Sequence, residues 1–495
     1  MDEALLALHK LTPEQFTVNY QDYALRRLKY EELIAQQLLL HKIYIQKHSK
    51  AAPPLLSQGS HLAQTLSNLP FKLTNAQHRV LKEIFTDLKQ AQQMNRLLQG
   101  DVGSGKTIVA TLCAVLAVEN GYQACLMAPT EILAEQHYLK ISALLQKSSI
   151  KILCLNGSMR RSAKNEAIAS CQSGEAQLII GTHALIQNGV DFAKLGLVII
   201  DEQHRFGVEQ RMALVSKGTP NLFPHQLMMS ATPIPRSLAM SYFADLDVST
   251  IDELPPGRTP VTTLLINLGR RHEVINFVRE NLLLGRQTYW VCPLIEESET
   301  LDLENAINTY NELSTILAPL KVGLIHGKLK TAEKAAIMAE FYAGSIQLLV
   351  ATTVIEVGVD VANATLMVIE HSERMGLAQL HQLRGRVGRG AAASHCVLLY
   401  TSNPSACAKE RLKAIASSTD GFKIARADLL IRGPGEILGQ RQSGIPALRF
   451  AHIEHDLPLL LEAKEIAKDL ANNYPDYAKY LVELWFHQQQ IYAAI

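Results

Sequence analysis

Cysteine is scarce in this sequence, long apolar runs are absent, and net charge is almost nil. The seven cysteines in 495 residues are odd in number and scattered, with no Cys-x-x-Cys pair. That excludes a disulfide framework and a cysteine-based zinc site, and it points to a reducing cytoplasm. No uninterrupted apolar stretch reaches the roughly 18 residues that a membrane span needs. Met1-Asp2-Glu3-Ala4 begins acidic and lacks the basic-then-apolar order of a secretory signal. His452-Ile453-Glu454-His455 sets two imidazoles three apart with no further ligand cluster, the pattern of surface histidines rather than of a metal site. A net charge of +1 excludes a polycation. It does not exclude nucleic acid, because a motor that must release its track can confine positive charge to one channel.

What is present is ordinary for an α/β protein: 47% hydrophobic and 19% charged residues, with length enough for several domains. Residues 1–55 read as a helical N-terminal segment. Tyr30, Leu33, Ile34 and Leu38 share one helical face, which is expected to pack on the next domain, and Ala51-Ala52-Pro53-Pro54 ends the helix. Across 56–254, short apolar runs at 96–99, 124–127, 151–155, 177–180, 197–200 and 226–229 alternate with helix-like stretches, as parallel strands covered on both faces do. Asp252-Glu253-Leu254-Pro255-Pro256-Gly257-Arg258 is the interior linker. Across 255–419 a second series follows at 261–266, 288–291, 322–325, 347–351, 365–369 and 396–400. Its spacing resembles the first although the local sequences do not repeat. Two doubly wound parallel-sheet domains in tandem are predicted, facing each other across a cleft, with 420–495 mainly helical after a glycine-rich turn near 433.

Gly100-Asp101-Val102-Gly103-Ser104-Gly105-Lys106-Thr107 lies between an apolar run and a helix-like stretch. Exposed N–H groups and a helix N-terminus there bind phosphate oxygens, Lys106 adds a mobile cation, and the Thr107 hydroxyl is placed for Mg²⁺. Asp201-Glu202-Gln203-His204 ends a buried run, so both acids should project into a polar cleft, Asp201 toward a metal and Glu202 toward a water. Gln77, near Phe71, offers a carboxamide that matches an adenine edge; taken alone the stretch is a helix start capped by Thr74. Ser230-Ala231-Thr232 follows a strand and is either a relay from the Asp201 strand or a helix cap. Arg384, Arg386 and Arg389 are interleaved with Gly385 and Gly388. Close arginines repel unless they share an anion, so the cluster is a basic turn, a nucleic-acid patch, or an arginine finger reaching a γ-phosphate across the cleft.

In this order the motifs resemble superfamily 2 helicases. They comprise Leu73-Thr74-Asn75-Ala76-Gln77, the phosphate loop, Ala128-Pro129-Thr130-Glu131, Gly181-Thr182-His183-Ala184-Leu185, Asp201 to His204, Ser230 to Pro233, His326-Gly327, residues 351–360 and residues 379–389. Asp420-Gly421-Phe422-Lys423-Ile424-Ala425, Arg432-Gly433-Pro434-Gly435-Glu436 and Arg441-Gln442-Ser443-Gly444 are similar to the translocation motif of RecG-type helicases. Without that likeness the same stretch is a helix, a break and a helix that seal a core.

The resemblance implies two RecA-like domains, ATP and Mg²⁺ as cofactors, and a monomeric DNA helicase acting on forks and Holliday junctions in recombination and repair. It implies that Gly358 and Asp360 help bind nucleotide. Pro129, Thr130, Thr182 and His183 would line the DNA path in the first domain, with His326, Thr352 and Thr353 in the second. Ser230, Thr232, Arg432, Arg441 and Gln442 would couple the motor to DNA. The family's N-terminal wedge domain has no counterpart in the residues before Gln77. The expectation is a fragment or a short motor with impaired fork unwinding, the wedge being supplied separately if at all. An RNA helicase and a non-unwinding DNA-bound scaffold stay open as alternatives.

Overall fold

The computed structural model describes residues 18–48, 50–57, 59–219, 221–231, 246–255, 260–293, 299–352, 361–390, 392–432, 448–452 and 456–486. The chain divides into two compact units, one of residues 52–233 with 249–431, the other of residues 1–51, 234–248 and 432–495.

The first unit carries two sheets. In the first are β1 (Asn95–Gly100), β2 (Gln123–Met127), β3 (Ile152–Leu155), β4 (Leu178–Gly181), β5 (Leu195–Ile200), β6 (His225–Ser230) and β7 (Asp247–Ile251), in the order β3-β4-β2-β5-β6-β1-β7. In the second are β8 (Thr262–Asn267), β9 (Gln287–Val291), β10 (Val322–Ile325), β11 (Leu348–Ala351), β12 (Ala364–Ile369) and β13 (His395–Tyr400), in the order β10-β11-β9-β12-β13-β8. From β3 to β1, and throughout the second sheet, the pairs are parallel. Both lobes are therefore RecA-like, as expected. Strands β2, β4, β5 and β6 are buried at every position, which is why their sequences are apolar runs rather than alternations. β7, with the polar sequence Asp-Val-Ser-Thr-Ile, carries no such signal and escapes a reading of the sequence.

With the edge strand β7 set aside, the two strand orders are one permutation, and the repeat extends to single side chains. In the first lobe the Gln123 amide donates to the carbonyls of Cys171 (2.9 Å) and Ala176 (2.7 Å). In the second, Gln287 donates to Phe341 (2.6 Å) and Ile346 (2.9 Å). Gln177 accepts from the Lys151 N–H as Gln347 accepts from the Lys321 N–H. Each buried glutamine satisfies carbonyls at the end of a helix that the sheet would otherwise strand. What the two lobes share at the level of residues is these isolated glutamines.

His225, at the start of β6, is fully buried and ties the entry segment to the sheet. Its Nδ1 accepts from the Met94 N–H (3.0 Å), and its Nε2 lies 2.7 Å from the Pro53 carbonyl. A carbonyl only accepts, so the ring must be neutral with the proton on Nε2. Burial pushes its pKa down to about 4. The unfolded chain, with a value near 6.5, therefore binds the extra proton first. Stability from this group is complete above about pH 6.5 and lost as pH falls toward 4, about 3 kcal/mol in all. Urea denaturation at pH 7 and pH 5 should show a pH-dependent loss that His225→Gln reduces.

The described residues of the second unit are mainly helical. The helix Val18–His48 packs on the helices Leu457–Asn473 and Pro475–Phe486. Ala24, Leu28, Ala35 and Leu39 meet Trp485 and Phe486. Leu33, Ile34 and Leu38, on the face read from the sequence, are buried as well. Glu32 is 1% exposed, and its carboxylate accepts from the backbone N–H groups of Arg449 (2.6 Å), Phe450 (2.9 Å) and Ala451 (2.9 Å). Lys29 pairs with Asp456 at 3.0 Å.

All seven cysteines are free thiols. Among the described residues no helix is long and apolar enough to cross a membrane, and no cluster of three or more metal-ligating side chains occurs. His452 is exposed; the rest of the His452–His455 motif lies outside the described residues.

Candidate active site

The candidate motifs leave the carboxyl ends of strands, where an open parallel sheet places its ligands. β1 delivers the phosphate loop. Gly103 and Gly105 stand at φ of 82° and 88°, a region that side chains avoid, and a Cβ at Gly105 would run into the Gln77 amide. The helix Lys106–Glu119 then begins at the lysine. Lys106 Nζ donates to the Gly100 (2.6 Å) and Asp101 (2.9 Å) carbonyls, which hold the ammonium over its own loop. Burial lowers its pKa; the charges of Glu202, Asp201 and Asp101 oppose this, and Arg389 adds to it. Ser104 is buried, and Thr107 occupies the second position of the helix.

β5 delivers the acids. Asp201 is buried and accepts from the Glu202 N–H (3.0 Å), while its other oxygen lies 2.8 Å from His137 Nε2. Burial works against its charge, but the hydrogen bond and charge of His137, with Lys106, hold the carboxyl below the usual carboxylate range. Glu202 sits at φ 49°, a strained left-handed conformation for a residue with a side chain. Burial and then the Asp201 charge push its carboxyl up to about 7, against Lys106 and Arg386. Glu202 also accepts from the Ala231 N–H (3.4 Å), so the link from the acids to the end of β6 runs through a backbone amide. Ser230 is buried; Thr232, the side chain of His204, Thr353, Gly358, Asp360, the side chain of Arg432, Arg441 and Gln442 lie outside the described residues.

Gln77 is 2% exposed and already engaged within the protein. Its Oε1 accepts from the Thr74 N–H (3.0 Å), its Nε2 donates to the Ser104 carbonyl (2.9 Å), and Thr74 caps the helix Asn75–Leu88. The carboxamide therefore holds the phosphate loop, while Phe71 is half exposed nearby in sequence.

The three arginines separate into different surroundings. Arg384 is 3% exposed and donates to the carbonyls of Ile415 and Ser418 (both 2.8 Å), to Thr263 (3.3 Å) and to His381 Nδ1 (3.0 Å). It is a structural anchor. Arg386 and Arg389 instead act electrostatically on Glu202 and Lys106 respectively, from the other lobe.

The residues of the expected DNA path differ among themselves. Thr182 and Thr352 are each 1% exposed, their hydroxyls buried without a hydrogen-bond partner. The Thr130 hydroxyl caps the helix Glu131–Leu144, accepting from the Leu133 N–H (3.3 Å). Pro129 and His326 are half-buried, and His183 is exposed.

Sequence reasoning gives no role to three participants: His137 beside Asp201, and Asp101 with His381, 2.9 Å apart across the lobes. The place in the second lobe that corresponds to Lys106 and Asp201 is closed by its own ion pair. Arg271, the first residue of the helix Arg271–Leu283, meets Glu370 at 2.6 Å and stacks on Trp290.

Residues 74–241 match the DEAD/DEAH box helicase family, 272–391 the helicase conserved C-terminal domain, and 418–491 the C-terminal part of domain 3 of ATP-dependent DNA helicase RecG. The chain is 50% identical over 501 residues to ATP-dependent DNA helicase RecG of Escherichia coli O157:H7, covering 100% of this chain and 72% of that one. It is 47% identical over 498 residues to the RecG protein of Haemophilus influenzae, with the same coverage. A solved structure of RecG bound to a three-way DNA junction aligns with a TM-score of 0.71 at 42% identity, covering 93% of this chain and 61% of that one. Saccharomyces cerevisiae Dbp5 bound to RNA and ADP BeF3, at 16% identity and a TM-score of 0.56, shares the fold alone. With half its residues identical across its whole length, and a third matched segment particular to that family, the chain belongs to the RecG family of ATP-dependent DNA helicases.

Proposed function

We propose that the chain is an ATP-driven motor on branched DNA, forks and Holliday junctions included, serving recombination and repair. The observation that carries this is convergence: Lys106, Asp201 and Glu202 of one lobe share an electrostatic neighbourhood with Arg386 and Arg389 of the other. A site divided in this way favours hydrolysis when the lobes close, which turns chemistry into motion. The division is complete within one chain, so the motor needs no second copy and acts as a monomer. In this reading the domains are 1–55, 56–254 (nucleotide-binding), 255–419 (second motor domain) and 420–495 (translocation segment).

The donor set suits Mg²⁺: an ionised Asp201 carboxylate and the Thr107 hydroxyl are hard oxygens, and they would hold the ion. Bound there, the ion neutralises phosphate charge. The chain's own residues do the rest. Backbone N–H groups of residues 103–107 bind phosphate oxygens, Lys106 compensates their charge, and Glu202 orients water and accepts its proton. His137 fixes the rotamer of Asp201. Gly358 and Asp360 complete the nucleotide site, and Gln77 serves it by holding Ser104.

DNA contacts fall to Pro129, Thr130, His183, His326, Thr353 and the backbone at Thr182 and Thr352, which position phosphates without reading bases. Ser230, Thr232, Arg432, Arg441 and Gln442 transmit the motion. ATP hydrolysis measured without nucleic acid, with a three-way DNA junction and with structured RNA tests the reading. Stimulation by the junction, with conversion of that junction, is expected. Stimulation by RNA alone would reassign the substrate.

A further inference from the structure

Asp101 is the second residue of the phosphate loop, a position where the glycine-lysine pattern allows any side chain. Its carboxylate leaves the loop and reaches two elements of the other lobe. Oδ1 lies 2.9 Å from His381 Nε2, on the helix Leu377–Arg384. Oδ2 accepts from the Gly421 N–H (3.2 Å), at the first residue of the helix Gly421–Arg432. That helix has its own cap as well, since Asp420 Oδ1 accepts from Phe422 N–H (2.8 Å) and Lys423 N–H (3.4 Å). Asp101 therefore takes the N–H that the local cap leaves over, and a carboxylate suits a helix N-terminus.

The junction has no slack. A Cβ at Gly421 would collide with the Asp101 carboxylate and stand 2.8 Å from His381 Nε2. A Cβ at Gly385 would stand 2.7 Å from Val102 Cβ, so the next loop residue is also packed against the second lobe. His381 cannot swing aside freely, because its Nδ1 is held by Arg384, which also grips the carbonyls of Ile415 and Ser418. Opposing charges and burial compete at Asp101: burial disfavours its charge, and His381 and the Gly421 N–H outweigh it.

We propose that Asp101 is the positioning residue that couples the phosphate loop to the helix at Gly421, passing a displacement of the loop directly to the start of the C-terminal segment. Its motor consequence rests on the ATP-driven reading above. The mechanical claim needs only that nucleotide binds the loop.

The full chain is compared with Asp101→Ala, Gly421→Ala and the double variant. Hydrogen exchange at residues 421–424 is followed with and without a saturating non-hydrolysable ATP analogue. In the unaltered chain the analogue should change protection there, and Asp101→Ala should shrink that nucleotide-dependent difference about fivefold or more. A merely structural contact would raise exchange equally with and without analogue, and that result overturns the proposal. Gly421→Ala should raise the ATP hydrolysed per DNA junction converted by about fivefold or more. In the double variant the carboxylate that obstructs the methyl is gone, so the loss should not exceed that of Asp101→Ala alone; additive losses would show that the two residues do not act through one contact. If the unaltered chain gives no DNA-stimulated hydrolysis, the motor reading fails, and the exchange comparison still decides the coupling.

Discussion

Lys106→Ala should lower DNA-stimulated ATP hydrolysis by about a hundredfold or more, through loss of nucleotide affinity and of charge compensation together. The ammonium is the only side-chain cation that the loop itself supplies, at the first residue of the helix Lys106–Glu119. It also sits among Glu202, Asp201 and Asp101. Removing it leaves three acids without their shared cation, where a triphosphate must add further negative charge. Glu202→Gln should reach a similar loss of turnover by a different route. The amide keeps an oxygen for the Ala231 N–H but cannot accept a proton from water. A fluorescent ATP analogue should therefore bind Glu202→Gln and fail to bind Lys106→Ala at the same concentration. Full-rate hydrolysis by Lys106→Ala would overturn the assignment of the site.

Much of this site was legible in the sequence because its demands are local. A phosphate loop needs glycines where φ is positive, and Gly103 and Gly105 meet that demand within a few residues of Lys106. An acid pair ending a wholly apolar strand announces a polar cleft, and Asp201 and Glu202 follow β5 as that rule requires. The strands were legible for the same reason, since burial on both faces writes itself as an apolar run. What stayed hidden depends on pairs distant in sequence. His137 and Asp201 are 64 residues apart, and Asp101 and His381 are 280 apart. Neither pair has a spacing rule. The lobe repeat was legible in strand spacing but hidden at the level of residues, because there it survives in single glutamines and in turn geometry: His371 follows β12 at φ 46° as Glu202 follows β5 at φ 49°. No run of identical residues marks it. Nor does composition tell which of three neighbouring arginines turns inward.

That last ambiguity carries the second large prediction. Arg386→Ala should lower the kcat of DNA-stimulated hydrolysis by about a hundredfold or more while KM for ATP changes little, since a finger from the opposite lobe matters most as charge develops on the transferred phosphoryl group. Arg386→Lys should restore little, because an ammonium cannot reproduce the planar fork. Arg389→Ala should act in the same direction with a larger share in KM, because its charge is felt at Lys106, the loop's own cation. Arg384→Ala provides the contrast. Four acceptors from three segments surround that guanidinium, so its removal strands the carbonyls of Ile415 and Ser418 and lowers the melting temperature first. The three variants thus separate by observable: kcat for 386, kcat and KM for 389, thermal stability for 384. Should Arg386→Ala lose stability and keep its turnover, the guanidinium would belong to the packing of its own lobe, and the two-lobe site would lose its arginine.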